Sequence, residues 1–359
     1  MLTRKIPVTV ITGFPGAGKT SLVNLLLAQN PDRVIGVIVN EFGKVGIDGE
    51  LIAAGAGPVI EIRNSCVCCT VRTDLNIGIK SLLARTDIRL DRLIVETSGL
   101  ADPTSVLQAI LADPDLCMRV ELESIVTVVD AANFDRQIVN DIAVDQIAFA
   151  DLIVLNKIDM RIESFIEMLQ HCLRSLNPAA PIIRVNNSTV DSETVFRSQR
   201  FSLPNLLAIE PGLLQNQHDH EQDESIESFA MECTNAVDPS RFKNWFNRVV
   251  QQQGKTIMRM KGVLNLHNES NRFIFQSVHA LSEVKPGKRW PNGSTRVSRV
   301  VVIGRKLDSD TLQNGFLSCM HVVSNATGVS YVTVTPRSKG SSRCRASLTD
   351  SGSTSALRN

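Results

Sequence analysis

The chain has 359 residues, of which 43% are hydrophobic and 21% are charged. This supply of apolar residues excludes a disordered or collagen-like polypeptide, and the length suggests two or three domains. Because 38 Lys and Arg balance 37 Asp and Glu, no global field draws the protein to nucleic acid or to an anionic membrane. We therefore expect neither of these as a partner.

The apolar runs of the chain are short. None approaches the roughly 18–20 residues that a membrane-spanning helix needs, and the run after the basic N-terminus is too short for a signal peptide. We therefore expect a cytoplasmic protein. In that compartment, eight cysteines are better suited to metal or redox chemistry than to a disulfide framework.

The first 200 residues alternate β-rich apolar runs with helical patterns, as buried parallel strands and their crossover helices do. Strands are predicted at residues 6–12, 34–39, 92–96, 125–130, 152–155 and 182–185, and helices at 19–29, 73–84, 103–112 and 163–176. This alternation predicts an α/β domain over residues 1–207, with a doubly wound, mostly parallel sheet.

A polar segment at 208–228 is predicted to be a linker to a smaller α+β domain at 229–335. The predicted strands of this domain are 227–234, 258–267, 272–279 and 296–304, and its helices begin at Asp238 as N-cap and near residue 308. Its aromatic side chains are predicted to be mainly core: Trp245, Trp290, Phe273 and Phe275. Residues 336–359, rich in Ser, Thr, Arg and Gly, are expected to form a disordered tail.

Residues 13–20 read GFPGAGKT and fit the P-loop pattern G-x-x-x-x-G-K-[ST] at every fixed position. The segment follows a predicted strand and opens a predicted helix, so backbone N–H groups and the helix N-terminus would surround a phosphate. Lys19 would reach the β- and γ-phosphates, and the Thr20 hydroxyl would bind Mg²⁺. The predicted phosphate-binding residues are Gly13, Gly16, Ala17, Gly18, Lys19, Thr20 and Ser21.

Two further motifs follow predicted strands of the same domain. Asn156, Lys157 and Asp159 form an N-K-x-D motif, in which a carboxylate can accept two hydrogen bonds from guanine that adenine cannot supply. In the segment E-T-S-G, Glu96 can hold Mg²⁺ through water and the Gly99 N–H can contact a γ-phosphate. The nucleotide is therefore predicted to be GTP or GDP with Mg²⁺.

Three of the eight cysteines lie within four positions, as Cys66, Cys68 and Cys69. Thiolates suit Zn²⁺, Cu⁺ or, less commonly, Co²⁺. Two or three sulfurs leave a coordination position open, which favours an exchangeable ion; a redox role and simple packing are the alternatives. The other cysteines considered are expected to pack as small hydrophobic residues: Cys117, Cys172, Cys233 and Cys319.

The order of the motifs resembles that of the CobW/YjiA-type GTPases, a family of metal-handling proteins. The motifs that carry the resemblance are GFPGAGKT, Asn40-Glu41-Phe42-Gly43 with Gly46-Ile47-Asp48, Cys66-Val67-Cys68-Cys69, Glu96-Thr97-Ser98-Gly99 and Asn156-Lys157-Ile158-Asp159. It covers about residues 5–320, including the C-terminal domain. The resemblance implies that Glu41 and Asp48 lie in a switch region near the nucleotide, and that Cys66, Cys68 and Cys69, with Glu41, bind a transition metal.

Two features depart from the family pattern. Lys44 stands where the family usually has an acid, so any role of that acid is lost. The predicted linker has only His218 and His220, whereas many members have a long His-rich stretch there. A large accessory metal store is therefore not expected.

Together these features predict a GTP-hydrolysing metallochaperone that delivers a transition metal, zinc foremost and cobalt second, to an unidentified client protein. Lys19, Glu96 and Asp48 are the predicted catalytic residues, and the protein is expected to be a monomer or a nucleotide- or metal-dependent dimer. The alternative is a nucleotide-gated metal or redox sensor that transfers no metal. A small-molecule kinase is less favoured because N-K-x-D selects guanine.

Overall fold

The computed structural model describes residues 5–42, 59–64, 70–101, 103–196, 226–254, 256–278, 281–321, 332–334 and 338–339. The chain divides into two compact units, the first built mainly from residues 1–200 and the second mainly from residues 201–346. Each unit contains its own sheet. Within the described ranges, helices that are both long and apolar enough to cross a bilayer are absent.

The first sheet has seven strands in the order β3-β2-β4-β1-β5-β6-β7, and every neighbouring pair is parallel. The strands are β1 (Ile6–Thr12), β2 (Ile35–Phe42), β3 (Val59–Asn64), β4 (Arg92–Glu96), β5 (Val120–Asp130), β6 (Leu152–Asn156) and β7 (Ile182–Arg184). All residues of β4 and β6 are buried, as expected for strands covered on both faces. The predicted doubly wound α/β fold is confirmed.

The helices of this unit are α1 (Lys19–Ala28), α2 (Thr70–Ala84), α3 (Pro103–Ala112), α4 (Pro114–Arg119), α5 (Phe134–Gln137), α6 (Asp141–Ala148), α7 (Glu163–Leu176) and α8 (Ser192–Phe196). The predicted bounds of α3 and α7 agree with the structure. Four short helices, α4, α5, α6 and α8, were not predicted, because they are too short to show a helical period. Two of them have local start signals: the side chains of Asp113 and Asn140 cap α4 and α6.

This topology brings the ends of several strands together. The carboxyl ends of parallel strands meet at one edge of the sheet, and ligands bind there in doubly wound folds. Strand β1 is central, with β4 on one side and β5 on the other. The segments that follow β1, β4, β5, β6 and β7 therefore emerge at the same edge.

The second sheet is antiparallel, with the strand order β11-β10-β9-β12-β8-β13, and β14 also pairs with β8. Its strands are β8 (Ile226–Cys233), β9 (Ile257–Leu264), β10 (Asn271–Val278), β11 (Leu281–Arg289), β12 (Ser298–Arg305), β13 (Val332–Val334) and β14 (Ser338–Lys339), and its helices are α9 (Pro239–Gln253) and α10 (Ser309–Leu317). Strand β11 was not predicted because it contains Pro286 and Gly287. An edge strand tolerates proline, and β11 is at the edge of the sheet.

The core of the second unit contains tilted and edge-on aromatic rings. Phe242 of α9 contacts Trp245, Phe275 and Phe316, with ring centroids 5.3, 5.0 and 6.3 Å away. These positions are buried, so Trp245 and Phe275 are core residues as predicted. Trp290 is different: it is half-buried, and the Arg272 guanidinium lies 5.6 Å from its ring centroid.

The boundaries of the second unit differ from the prediction in two places. Residues 227 and 228 fell in both the predicted linker and the predicted strand 227–234; strand β8 begins at Ile226, and Glu227 and Ser228 are buried in it. Within the stretch expected to be a disordered tail, Ser338–Lys339 forms a short strand paired with β8.

The cysteines outside the cluster do not all behave as expected. Cys117, Cys233 and Cys319 are free thiols, and the last two are fully buried. Cys172 is disulfide-bonded, which corrects the expectation that it packs as a reduced side chain. A sequence pattern does not show which cysteines the fold brings together.

Candidate nucleotide site

The P-loop between β1 and α1 depends on backbone conformations that favour glycine. Gly16 and Gly18 have φ angles of +77° and +106°, in the left-handed region that side chains disfavour. At Gly18 a Cβ atom would also lie 2.6 Å from Asn156 Nδ2 and 2.8 Å from Ser188 Oγ. The loop therefore needs glycine here both for its φ angle and for its close approach to two polar side chains.

Lys19 and Thr20 begin α1 beside the end of β4. The Lys19 ammonium donates a hydrogen bond to the Phe14 carbonyl, 3.3 Å away across the loop. The Thr20 hydroxyl donates to Glu96 Oε1 at 2.7 Å, and the Glu96 side chain is buried. A hydroxyl and a carboxylate are oxygen ligands of the type that Mg²⁺ prefers, so this pair fits the predicted magnesium site.

The loop after β4 lies against the P-loop. The Thr97 N–H donates to the Ile11 carbonyl at 2.9 Å, and its hydroxyl donates to Thr12 Oγ1 at 2.9 Å. A Cβ atom at Gly99 would be 2.5 Å from the Pro15 backbone nitrogen. The E-x-x-G motif therefore directly contacts the P-loop, and Gly99 is needed for that contact.

Asn156, the first residue of N-K-I-D, joins the P-loop to the segment after β7. Its Nδ2 donates to the Ala17 carbonyl at 2.9 Å and to Ser188 Oγ at 3.0 Å. Its Oδ1 accepts the Ser188 N–H at 2.8 Å, and the Ser188 hydroxyl donates to the Gly18 carbonyl at 3.1 Å. The Asn156 side chain is thus buried and bonded on both sides, and it holds the P-loop against the segment after β7.

Lys157 makes a second connection to the P-loop. Its ammonium lies 2.8 Å from the Gly16 carbonyl oxygen and 2.8 Å from Asp130 Oδ2. Asp130, at the end of β5, is buried and also accepts hydrogen bonds from Ala132 N and Asn133 Nδ2. Asp130 was not predicted as a site residue, although an acid at the end of a buried strand was a signal for it.

The Asp159 carboxylate, predicted to recognise guanine, is exposed. Its backbone N–H donates to Asn186 Oδ1 at 3.2 Å. The neighbouring Asn187 and Ser188 have successive φ angles of +50° and +56°. This turn was also missed; Asn-Asn-Ser after a strand was its only signal, since Asn tolerates the left-handed region.

The remaining predicted site residues lie largely outside the described residues. This applies to Asp48, Cys66, Cys68, Cys69, Lys44, His218 and His220. Glu41 is described through its backbone, which lies in β2 opposite Arg63 of β3. Within the described part of the chain, no group of three or more His, Cys, Asp or Glu side chains could hold a metal ion.

The fold and the site define a class of protein. A P-loop after the central strand, a Thr–Glu pair beside it and an N-K-x-D motif connected to it are the components of a P-loop GTPase. The chain is therefore a GTPase, which hydrolyses GTP to GDP and phosphate.

Comparisons with known proteins give the family. Residues 7–184 match the model of the CobW/HypB/UreG nucleotide-binding domain, and residues 226–320 match that of the cobalamin synthesis protein cobW C-terminal domain. The chain belongs to the CobW family of GTPases, as its motifs suggested.

Individual relatives match over most of their length. The chain is 32% identical to the zinc chaperone YjiA of Escherichia coli, over 87% of this chain and 98% of that protein. It is 31% identical to the zinc chaperone CobW of a Sinorhizobium species, over 84% and 93%. The crystal structure of Zn(II)-bound YjiA GTPase from E. coli is similar with a TM-score of 0.65, at 27% identity, over 89% of this chain and all of that one.

Proposed function

We propose that this protein is a GTP-controlled metallochaperone for zinc, with cobalt as a second candidate. Cys66, Cys68 and Cys69, together with Glu41, would bind the ion, and a client protein would receive it. Support comes from relatives that are named zinc chaperones and from the similarity to a Zn(II)-bound GTPase.

The pairing of β2 with β3 carries the proposal. The two strands are parallel, with Glu41 opposite Arg63 and Phe42 opposite Asn64. In the sequence, the cysteines follow Asn64 after a single residue. Glu41 and Asn64, which is two residues before Cys66 in the sequence, therefore lie at neighbouring strand ends, and this arrangement favours a shared metal site.

The same sheet would place this position near the bound nucleotide. Strand β3 is three strands from β1, which corresponds to about 14 Å at the usual spacing between strands. The nucleotide site and the proposed metal site would thus share one edge of one rigid sheet. A loop that is ordered by the γ-phosphate could change metal affinity over this distance.

The residues of the nucleotide site have distinct proposed roles in hydrolysis. The P-loop N–H groups and Lys19 would bind the phosphates and stabilise the charge on the β–γ bridging oxygen as the bond to the γ-phosphate breaks. Thr20 and Glu96 would hold Mg²⁺, which supplies further neutralisation of the phosphate charge. Asp48 would orient the attacking water, and Asp159 would bind the guanine edge.

Zinc affinity measured by competition with a chromophoric chelator tests the switch. The full-length protein should bind zinc at least tenfold more tightly with Mg²⁺ and a non-hydrolysable GTP analogue than with GDP. Cys68→Ala should weaken binding by at least about 10-fold, since the loss of a thiolate ligand costs at least as much as the loss of an outer-shell partner. Cys233→Ala, which removes a buried free thiol, is the matched control and should bind zinc normally. Equal affinities in the two nucleotide states would refute the switch.

Release during turnover separates delivery from sensing. Zinc-loaded protein is mixed with GTP and a fluorescent zinc chelator as the acceptor. A chaperone should release zinc at the rate of GTP hydrolysis, and the non-hydrolysable analogue should suppress release. Zinc that stays bound after hydrolysis would instead support a sensor that transfers no metal.

A further inference from the structure

The buried side chain of Gln146 contacts the loop that contains Gly99. Gln146 is in α6 and is only 1% exposed. Its Nε2 donates two hydrogen bonds, to the Gly99 carbonyl and to the Ala101 carbonyl, both at 3.2 Å. One amide group therefore binds two carbonyls on either side of Leu100.

The helix that carries Gln146 is itself fixed to the central sheet. The backbone carbonyl of Gln146 accepts a hydrogen bond from the Thr127 hydroxyl at 2.6 Å. Thr127 lies in β5 and is paired in register with Thr12, the last residue of β1 before the P-loop. The helix that carries the Gln146 amide is thus bonded to β5, the strand next to the one that precedes the P-loop.

The Gly99 loop is held from two other directions. Thr97 is bonded to Ile11 at the entrance of the loop. At its centre, Gly99 lies so close to Pro15 that a Cβ atom would collide with it. The P-loop therefore contacts one side of Gly99, and the Gln146 amide binds its carbonyl.

We propose that Gln146 is a positioning residue that holds Gly99 in place for the γ-phosphate, and so increases the preference of the protein for GTP over GDP. A triphosphate reaches the Gly99 loop and benefits if the loop is already ordered, because less conformational entropy is lost on binding. A diphosphate does not reach this loop. The inference rests on the proposed γ-phosphate contact of Gly99 and is independent of metal delivery.

Two substitutions test the role of the amide in the full-length protein. Gln146→Leu removes both donors at similar volume. Gln146→Glu keeps the shape of the side chain but faces the two carbonyl oxygens with an oxygen in place of the NH₂ group. Gln137→Leu, which changes another buried glutamine on the neighbouring helix α5, is the matched control.

The measurements are the dissociation constants of GDP and of a non-hydrolysable GTP analogue with Mg²⁺, and kcat for GTP. For the loss of two neutral hydrogen bonds we expect roughly a tenfold weaker affinity for the analogue and a lower kcat. GDP affinity should change less than about twofold, and the control should resemble the wild type. The ratio of the two dissociation constants is decisive, because a purely structural role of Gln146 would weaken the binding of both nucleotides equally.

The result that would overturn the proposal is an unchanged GTP-to-GDP preference in both Gln146 variants. If the wild type itself fails to hydrolyse GTP or to favour the analogue over GDP, the proposed nucleotide mechanism fails, and not only the role of Gln146. Should Gln146→Leu be too unstable to measure, Gln146→Met decides, since its unbranched side chain has a similar length, carries no charge and also lacks both donors.

Discussion

The connection between Asn156 and Ser188 allows a quantitative prediction. Asn156→Ala removes three hydrogen bonds, two to Ser188 and one to the Ala17 carbonyl. At about 1 kcal/mol each, their loss lowers the free energy of unfolding of the first unit by about 3 kcal/mol. Ser188→Ala removes only the two bonds of its hydroxyl, which corresponds to about 2 kcal/mol.

The two substitutions should not be additive. They remove one bond in common, between Asn156 Nδ2 and Ser188 Oγ. The double variant should therefore be about 1 kcal/mol more stable than the sum of the single effects predicts.

The assay can follow the two units separately. Both tryptophans of the chain, Trp245 and Trp290, lie in the second unit, so tryptophan fluorescence in urea follows that unit. Release of a fluorescent GDP analogue follows the first. Asn156→Ala should lower the urea midpoint of the GDP signal by roughly 1.5 M, if the free energy of unfolding falls by about 2 kcal/mol per M of urea. The urea midpoint of the tryptophan signal should not change.

Two outcomes would refute this reasoning. One is a coupling energy indistinguishable from zero, which would mean that Asn156 and Ser188 act independently. The other is an equal shift in both transitions, which would mean that the substitution has a general effect on folding and no local effect on the nucleotide site.

Three further predictions concern other parts of the molecule. Gly99→Ala places a methyl group against Pro15 and should reduce kcat for GTP at least tenfold while GDP still binds; normal turnover would contradict the contact. Asp130→Asn removes the carboxylate partner of Lys157 and should weaken GDP binding roughly tenfold, as isothermal titration can show; unchanged affinity would mean that the pair does not support the site. Burial raises the pKa of the Cys319 thiol to about 12, so it stays protonated at pH 8 and should resist iodoacetamide in the native protein; labelling detected by mass spectrometry before unfolding would contradict its burial.

The fold could be predicted well where one physical pattern dominated. The buried strands β1, β4 and β6 are nearly continuous apolar runs, and a strand covered on both faces needs such a run. Prediction failed for α5 and β11. The first is four residues long, and the second contains a proline that only an edge position tolerates.

The candidate site was predictable as a set of motifs but not as a set of contacts. Lys19, Thr20, Glu96 and Asn156 were found because phosphate and guanine chemistry demands those residue types at fixed spacings. The sequence assigned Asn156 and Lys157 to base recognition. The structure shows that both side chains also hold the P-loop, through the carbonyls of Ala17 and Gly16.

The sequence by itself determined the class of fold, the position of the phosphate-binding loop and the preference for guanine, because these depend on local patterns of a few residues. Only the tertiary structure decided that Asp130, Gln146 and Ser188 act beside those motifs. Each lies in a different segment of the fold, 27 or more positions from its partner, and is a common polar residue type. Such residues gain their role when parallel strand ends meet at one edge of the sheet, which no local pattern records.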